Sequence, residues 1–274
     1  MSKTSILITG CSSGIGLDAA RHLRAANFRV FASCRAEEDC AARRAEGFES
    51  PRIDLTDRDS IHAGLAEVLA ATGGTLDALY NNGAYACPGL VEDLPTDALR
   101  AIFETNLFGH HELTRAVIPV MRRQGHGRIL NCSSVLGFVA LPWRGAYVAT
   151  KFALEGLTDV LRLEMRGTGI DVVLIEPGPI TAKIRENAIP HFERWIDWEA
   201  SPRRADYRAL LDRLYQGGKD KYELPASAVS EVILAALTAP RPKPRYRVTR
   251  PTTYAAVARR LLPTRWLDAA IARG

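Results

Sequence analysis

No segment of this 274-residue chain approaches the ~20 consecutive apolar residues a membrane-spanning helix requires, so no span is expected. Nor is there a block of like charge. The 36 Lys and Arg are interspersed with 31 Asp and Glu, so the net charge of +5 reads as a basic surface with a local phosphate-binding patch rather than a nucleic-acid face. Cysteine is sparse: Cys11, Cys34, Cys40, Cys87 and Cys132 are odd in number and form no C-x-x-C pair, which argues for reduced thiols. The histidines lack ligand spacing, because His110-His111-Glu112 is missing the second histidine of a zinc-protease helix, and no metal is assigned. Repeats and low-complexity tracts are absent. Met1-Ser2-Lys3-Thr4 leads into Ser5-Ile6-Leu7-Ile8-Thr9 without a charged leader or cleavage site, so a cytoplasmic protein is the default expectation.

What is present is an alternation of short apolar runs with longer helical patterns, the signature of βαβ units in an α/β protein with a parallel sheet. Strands are expected near 4–9, 28–33, 50–53, 76–80, 127–133, 170–175 and 245–249. Spacings of three and four, as in Leu65, Val68, Leu69 and in Leu154, Leu157, Leu161, Met165, predict helices that cover the sheet. Thr56-Asp57 and Thr96-Asp97 offer helix caps. With 47% apolar residues the chain can form one domain over 1–274. Residues 181–224 break the rhythm, being rich in Trp, Arg and Tyr and interrupted by Pro190 and Pro202; they read as an insertion over a cleft. A helix at 225–238 and a basic tail at 252–274 follow. In the tail, Val257, Leu261, Leu262, Trp266 and Leu267 stand among Arg259, Arg260 and Arg265. That pattern is compatible with weak association with a membrane surface, but packing against the body or a sister subunit is the preferred reading.

Thr9-Gly10-Cys11-Ser12-Ser13-Gly14-Ile15-Gly16 follows a strand and opens a helix, the context in which a glycine loop cradles a dinucleotide pyrophosphate. The second strand ends at Ala32-Ser33-Cys34-Arg35, with no carboxylate for a ribose 2′-hydroxyl. Arg35 can instead take a 2′-phosphate, which favours NADP(H) over NAD(H); the alternative is an exposed arginine paired with Glu37 or Glu38. Asp54 is either an adenine contact or a local cap.

Tyr147 and Lys151 stand four apart, so on a helix both project from one face and the ammonium can lower the phenol below its usual ~10. Ser134 lies at the end of an expected strand, where its hydroxyl can polarise a carbonyl; neighbouring Ser133 is read as serving the backbone turn.

Taken together, the glycine loop, Asn81-Asn82-Gly83, Asn106, Ser134 and the Tyr147/Lys151 pair resemble the short-chain dehydrogenase/reductase family over about residues 4–182. The resemblance implies a Rossmann-type doubly wound sheet of seven strands in order 3-2-1-4-5-6-7 and a catalytic tetrad of Asn106, Ser134, Tyr147 and Lys151. It also implies cofactor contacts at Gly10, Ser12, Ser13, Gly14, Ile15, Gly16, Arg35, Asp54, Leu55, Asn81, Gly83, Tyr147, Lys151, Pro177, Gly178, Ile180 and Thr181, and a homodimer or homotetramer. The turn departs from the family's Asn-Asn-Ala-Gly, and Thr181 stands one place early, so Ile180 is the preferred nicotinamide contact.

Tyr85, Leu136, Trp143, Ser134 and Tyr147 are the expected substrate contacts. Phe138, Phe192, Trp195 and Trp198 add apolar lining suited to a lipophilic aldehyde, ketone, retinoid or steroid-like compound. The expected function is hydride transfer between NADP(H) and such a carbonyl or alcohol. The alternative is a non-catalytic NADP(H)-binding regulator or scaffold.

Overall fold

The computed structural model describes residues 3–218 and 222–272. Six parallel strands form one sheet: β1 (Ser5–Ile8), β2 (Arg29–Ala32), β3 (Ala78–Asn81), β4 (Gly127–Cys132), β5 (Ile170–Glu176) and β6 (Arg245–Arg247), in spatial order β2-β1-β3-β4-β5-β6. The strands β1 to β5 are largely buried on both faces, whereas the edge strand β6 is half-buried, and alternate residues feed two separate cores. Ile6, Ile8, Tyr80, Leu130 and Ile175 meet α1 (Gly14–Ala25) and α9 (Ser227–Thr238) through Ala19, Leu23, Val229 and Ile233. Leu7, Leu79, Ile129 and Val172 face the other way, onto α3 (Arg58–Thr72) and α5 (Gly109–Gln124) through Leu65, Val68, Leu113 and Val117. This two-sided burial is why the strands read as continuous apolar runs.

The expected third strand at 50–53 is not a ladder strand. It is reduced to two isolated parallel bridges, Phe31 with Glu49 and Cys34 with Arg52, so six strands stand where seven were expected. Pro51 lies between them and has no N–H to donate, which confines the segment to broken pairing at the sheet edge. The bridges keep the implied position, beside β2 at the outer edge.

Asp57 caps α3 as expected, accepting from the backbone N–H groups of Asp59 and Ser60. Thr96 does not cap: it is the first helical residue of α4 (Thr96–Phe103), and Pro95 holds the cap position. A π-helical turn, Glu104–Phe108, joins α4 to α5. The remaining helices are α2 (Glu37–Ala45), α6 (Gly145–Glu164), α7 (Ile189–Trp195), α8 (Tyr207–Tyr215), α10 (Arg250–Leu261) and α11 (Thr264–Ala272). The 181–224 insertion carries α7 and α8, with residues 219–221 outside the described residues; these helices build a third apolar cluster with Leu90, Ile102 and Tyr147. Packing of the tail against the body is partial. Thr252, Ala256 and Leu267 are buried, whereas Tyr254, Val257, Leu261 and Trp266 face solvent.

Candidate active site

The glycine loop joins β1 to α1 and sits against the turn after β3. Gly10 has φ +72°, and a Cβ there would lie 2.6 Å from the Gly83 Cα. A Cβ on Gly16 would strike the Gly10 carbonyl and the Asn82 side chain. Thr9 Oγ1 accepts from the N–H groups of Asn82 (2.9 Å) and Gly83 (3.0 Å), and Asn82 Nδ2 donates back to Thr9 O (3.0 Å). Asn82 is therefore the side chain that clamps the loop. Asn81 is fully buried with its Nδ2 donating to Thr114 Oγ1 and Asn131 Oδ1, so its side chain braces β3 on β4. We expect Gly16→Ala to lower stability by about 1–3 kcal/mol in urea melts and to abolish cofactor binding in a fluorescence titration.

The loop fits a pyrophosphate. The α1 N-terminus has no side-chain cap and no acidic residue in its first turn, so its N–H groups remain available to an anion. Arg43, which the sequence did not single out, donates to the carbonyls of Cys11 (3.2 Å) and Ser12 (3.1 Å) and fixes the loop from behind. Arg35 is exposed and makes no ion pair among the described residues; Glu37, its rival partner, is held by Arg44. Asp54 accepts from Thr56 N and Oγ1, the local role, while Leu55 packs its backbone where a Cβ on Gly109 would stand.

At the strand ends the tetrad residues converge. Lys151 is buried; its Nζ donates to Cys132 O at 2.7 Å and lies 5.4 Å from the Tyr147 ring centroid. Asn106, in the π-helical turn, is fully buried: its Oδ1 accepts from Tyr85 N (3.1 Å), and its Nδ2 donates to Tyr85 O (2.9 Å) and Thr150 Oγ1 (3.3 Å). Burial pushes the Tyr147 phenol well above its usual range and Cys132 adds to this, while the Ser134 hydroxyl and Arg144 pull the other way. Lys151, from which a lowering of the phenol is expected, turns its ammonium onto the Cys132 carbonyl, and burial holds the lysine's own value down. Ser134 Oγ accepts from Leu136 N. Ser133 departs from the expected backbone role: its hydroxyl is buried beside Gly137 and the Glu155 side chain and makes no hydrogen bond among the described residues.

Val135 N donates to Pro177 O, joining the Ser134 turn to the Pro177-Gly178 segment. Ile180 packs on the first core, and Thr181 N donates to Leu224 O. Tyr85 stacks on His191 of α7, centroids 3.7 Å apart at 16°. Trp143, with φ +67°, meets Tyr207 edge-on at 5.0 Å, and Leu136 joins the same cluster. His191 and Tyr207 are additions the sequence did not signal. His110 is another: it is buried, and burial and then Lys151 hold its imidazole down to about 3, so it stays neutral.

Glu176, at the end of β5, is fully buried beside Arg245 (3.0 Å) and Arg247 (3.2 Å). Burial first, then Glu155, pushes its carboxyl up to about 7. A carboxyl raised in the folded state favours folding below its unfolded value and loses that contribution as pH rises through the folded one. Stability should therefore fall between about pH 4.5 and 7, by on the order of 3 kcal/mol. Glu176→Gln should flatten that slope in pH-dependent urea melts; an unchanged slope would remove Glu176 as its source.

Strand order, glycine loop and convergent Asn106, Ser134, Tyr147 and Lys151 define a nicotinamide-dependent oxidoreductase of the Rossmann type. The chain belongs to the short chain dehydrogenase family, whose model matches residues 4–191. It is 37% identical over 266 residues to the uncharacterized oxidoreductase YbbO of Escherichia coli, covering 97% of this chain and 93% of that one. Human 17-beta-hydroxysteroid dehydrogenase type 1 is 33% identical over 261 residues, covering 91% and 78%. Among solved structures, a short-chain dehydrogenase from Streptomyces avermitilis superposes with a TM-score of 0.78 at 29% identity, covering 100% of this chain and 95% of that one.

Proposed function

We propose that this oxidoreductase uses NADP(H) to reduce a lipophilic carbonyl compound, or in reverse to oxidise the corresponding alcohol. The exposed Arg35 guanidinium at the end of β2, where no carboxylate stands, carries the cofactor preference. The lipophilic substrate class rests on the third apolar cluster, in which Phe192, Ile196, Tyr207 and Leu210 pack around the Tyr147 end of α6. A hydroxysteroid dehydrogenase among the relatives supports the same class.

When bound, the cofactor supplies or accepts the hydride. The residues of the chain do the rest. The Ser134 hydroxyl donates to the substrate oxygen and stabilises charge as it develops there, and Tyr147 delivers the proton. Lys151 would hold cofactor hydroxyls, and Asn106 fixes the Tyr85 backbone. Gly10, Ser12, Ser13, Gly14, Ile15 and Gly16 would cradle the phosphates, and Pro177, Gly178, Ile180 and Thr181 would line the nicotinamide side of the site.

Exposed Phe152, Leu157, Val160 and Leu163 along α6, with Phe108 before α5, suit a homo-oligomer built through these helices. Five buried free thiols suit a reducing compartment such as the cytoplasm. The test is a titration with NADPH and NADH followed by nicotinamide fluorescence, then a panel of lipophilic aldehydes and ketones. Tighter NADPH binding with turnover supports the proposal. Tighter NADH binding overturns the cofactor assignment, and binding without turnover on any carbonyl favours the regulator reading.

A further inference from the structure

The charge of this protein is concentrated at one end of the chain. Nine of the 36 Lys and Arg and only one of the 31 Asp and Glu lie in residues 241–274, leaving 27 cations against 30 carboxylates in the rest. Arg245 and Arg247 are consumed by Glu155, Asp159 and Glu176. Arg250, Arg259, Arg260 and Arg265 are exposed and make no ion pair among the described residues. Between them the helices leave apolar side chains in water. Tyr254, Val257 and Leu261 stand at i, i+3 and i+7 on α10, and Leu261 is 75% and Trp266 of α11 69% exposed.

We propose that α10 and α11 form a docking surface for an anionic phospholipid bilayer, on which the helices lie in the plane of the headgroups. Arg250 and Arg260 lie on or beside the Tyr254–Val257–Leu261 stripe of α10 and Arg265 precedes Trp266, which matches that interface: these arginines meet lipid phosphates while Leu261, Trp266 and Tyr254 enter the acyl boundary, and Arg259, on the far side of α10, adds to the overall positive field. A second copy is the poorer occupant, because a two-fold contact would bring two strongly cationic segments together. Nucleic acid gains nothing from the aliphatic stripe. The surface also adjoins the active site. Thr249 and Thr252, at the start of α10, occupy the space where a Cβ on Gly178 would stand, and α10 packs on the turn after Ser134. Docking there would bring a lipid-dissolved carbonyl close to Tyr147, a consequence that rests on the proposed substrate class.

The test is sedimentation of the full chain with phosphatidylcholine vesicles and with vesicles containing about 30% phosphatidylglycerol. The bound fraction on the anionic vesicles should exceed that on neutral ones by about tenfold or more and should fall in high salt. Combining Arg259→Glu, Arg260→Glu and Arg265→Glu should reduce it to the neutral level, and Leu261→Asp with Trp266→Ala should do the same; at such exposed positions all five leave the fold intact. Equal binding to both vesicles, or none to either, overturns the proposal. So does an oligomer that dissociates on Leu261→Asp, which would assign the face to a second copy, or duplex DNA binding lost only in the arginine variants. Because pelleting is read without turnover, its failure leaves the proposed catalytic function standing.

Discussion

Replacing Tyr147 by phenylalanine is expected to lower kcat for carbonyl reduction about 10³-fold while leaving the NADPH dissociation constant within about twofold of its starting value. The substitution removes one oxygen and nothing else from a buried ring that packs with Ala146, Leu90 and Phe192. Its hydroxyl is held in the protonated form by burial, the state a proton donor needs. Reduction should accordingly hold its rate across neutral pH and decline only in alkali, whereas oxidation, which needs the phenolate, should rise with pH. Ser134→Ala should cost about 10²-fold in kcat, since it removes one donor to the developing oxyanion and leaves the proton source in place. Stopped-flow measurement of NADPH consumption separates the two. A Tyr147→Phe enzyme as fast as the parent would end the proposed mechanism.

The second large effect concerns Arg35. Arg35→Asp is expected to weaken NADPH binding about 10²-fold, because the new carboxylate faces the 2′-phosphate, and to leave NADH binding unchanged or improved. Arg35 is exposed at the end of β2 and makes no ion pair among the described residues, so the melting temperature should change little. Fluorescence titration with both cofactors gives the ratio directly. If NADPH affinity is unmoved, the 2′-phosphate is recognised elsewhere, and Arg43, on the carbonyls of Cys11 and Ser12, is the guanidinium to test next.

Most of the sheet, and the gathering of Asn106, Ser134, Tyr147 and Lys151 near its strand ends, could be read from sequence because the signals are local. A glycine loop between strand and helix, and a Tyr and Lys four apart, need only one element to be correct. What escaped reading lies between elements. Asn81 and Asn82 look interchangeable in sequence, yet the two-residue period of β3 turns Asn81 into the core while Asn82 meets the glycine loop. The run at 50–53 has strand composition, but Pro51 withholds the donor a ladder requires. Arg43 reaches the phosphate loop from a neighbouring helix, and His191 finds Tyr85 across the cleft; neither partnership follows from spacing. The Tyr147 phenol shows a different limit. A neighbouring ammonium was legible, but its direction was not, and Lys151 points at a carbonyl.

The Tyr85–His191 stack has a mechanical corollary. Asn106 grips the Tyr85 backbone at two points, and the Tyr85 ring carries His191 and hence α7. Helix α7 and the buried asparagine are thus mounted on a single bracket. Under the proposed function, a displacement of α7 that admits a bulky guest would pull on Asn106. Variants that loosen α7 should then shift the turnover rate and the Michaelis constant together rather than one alone.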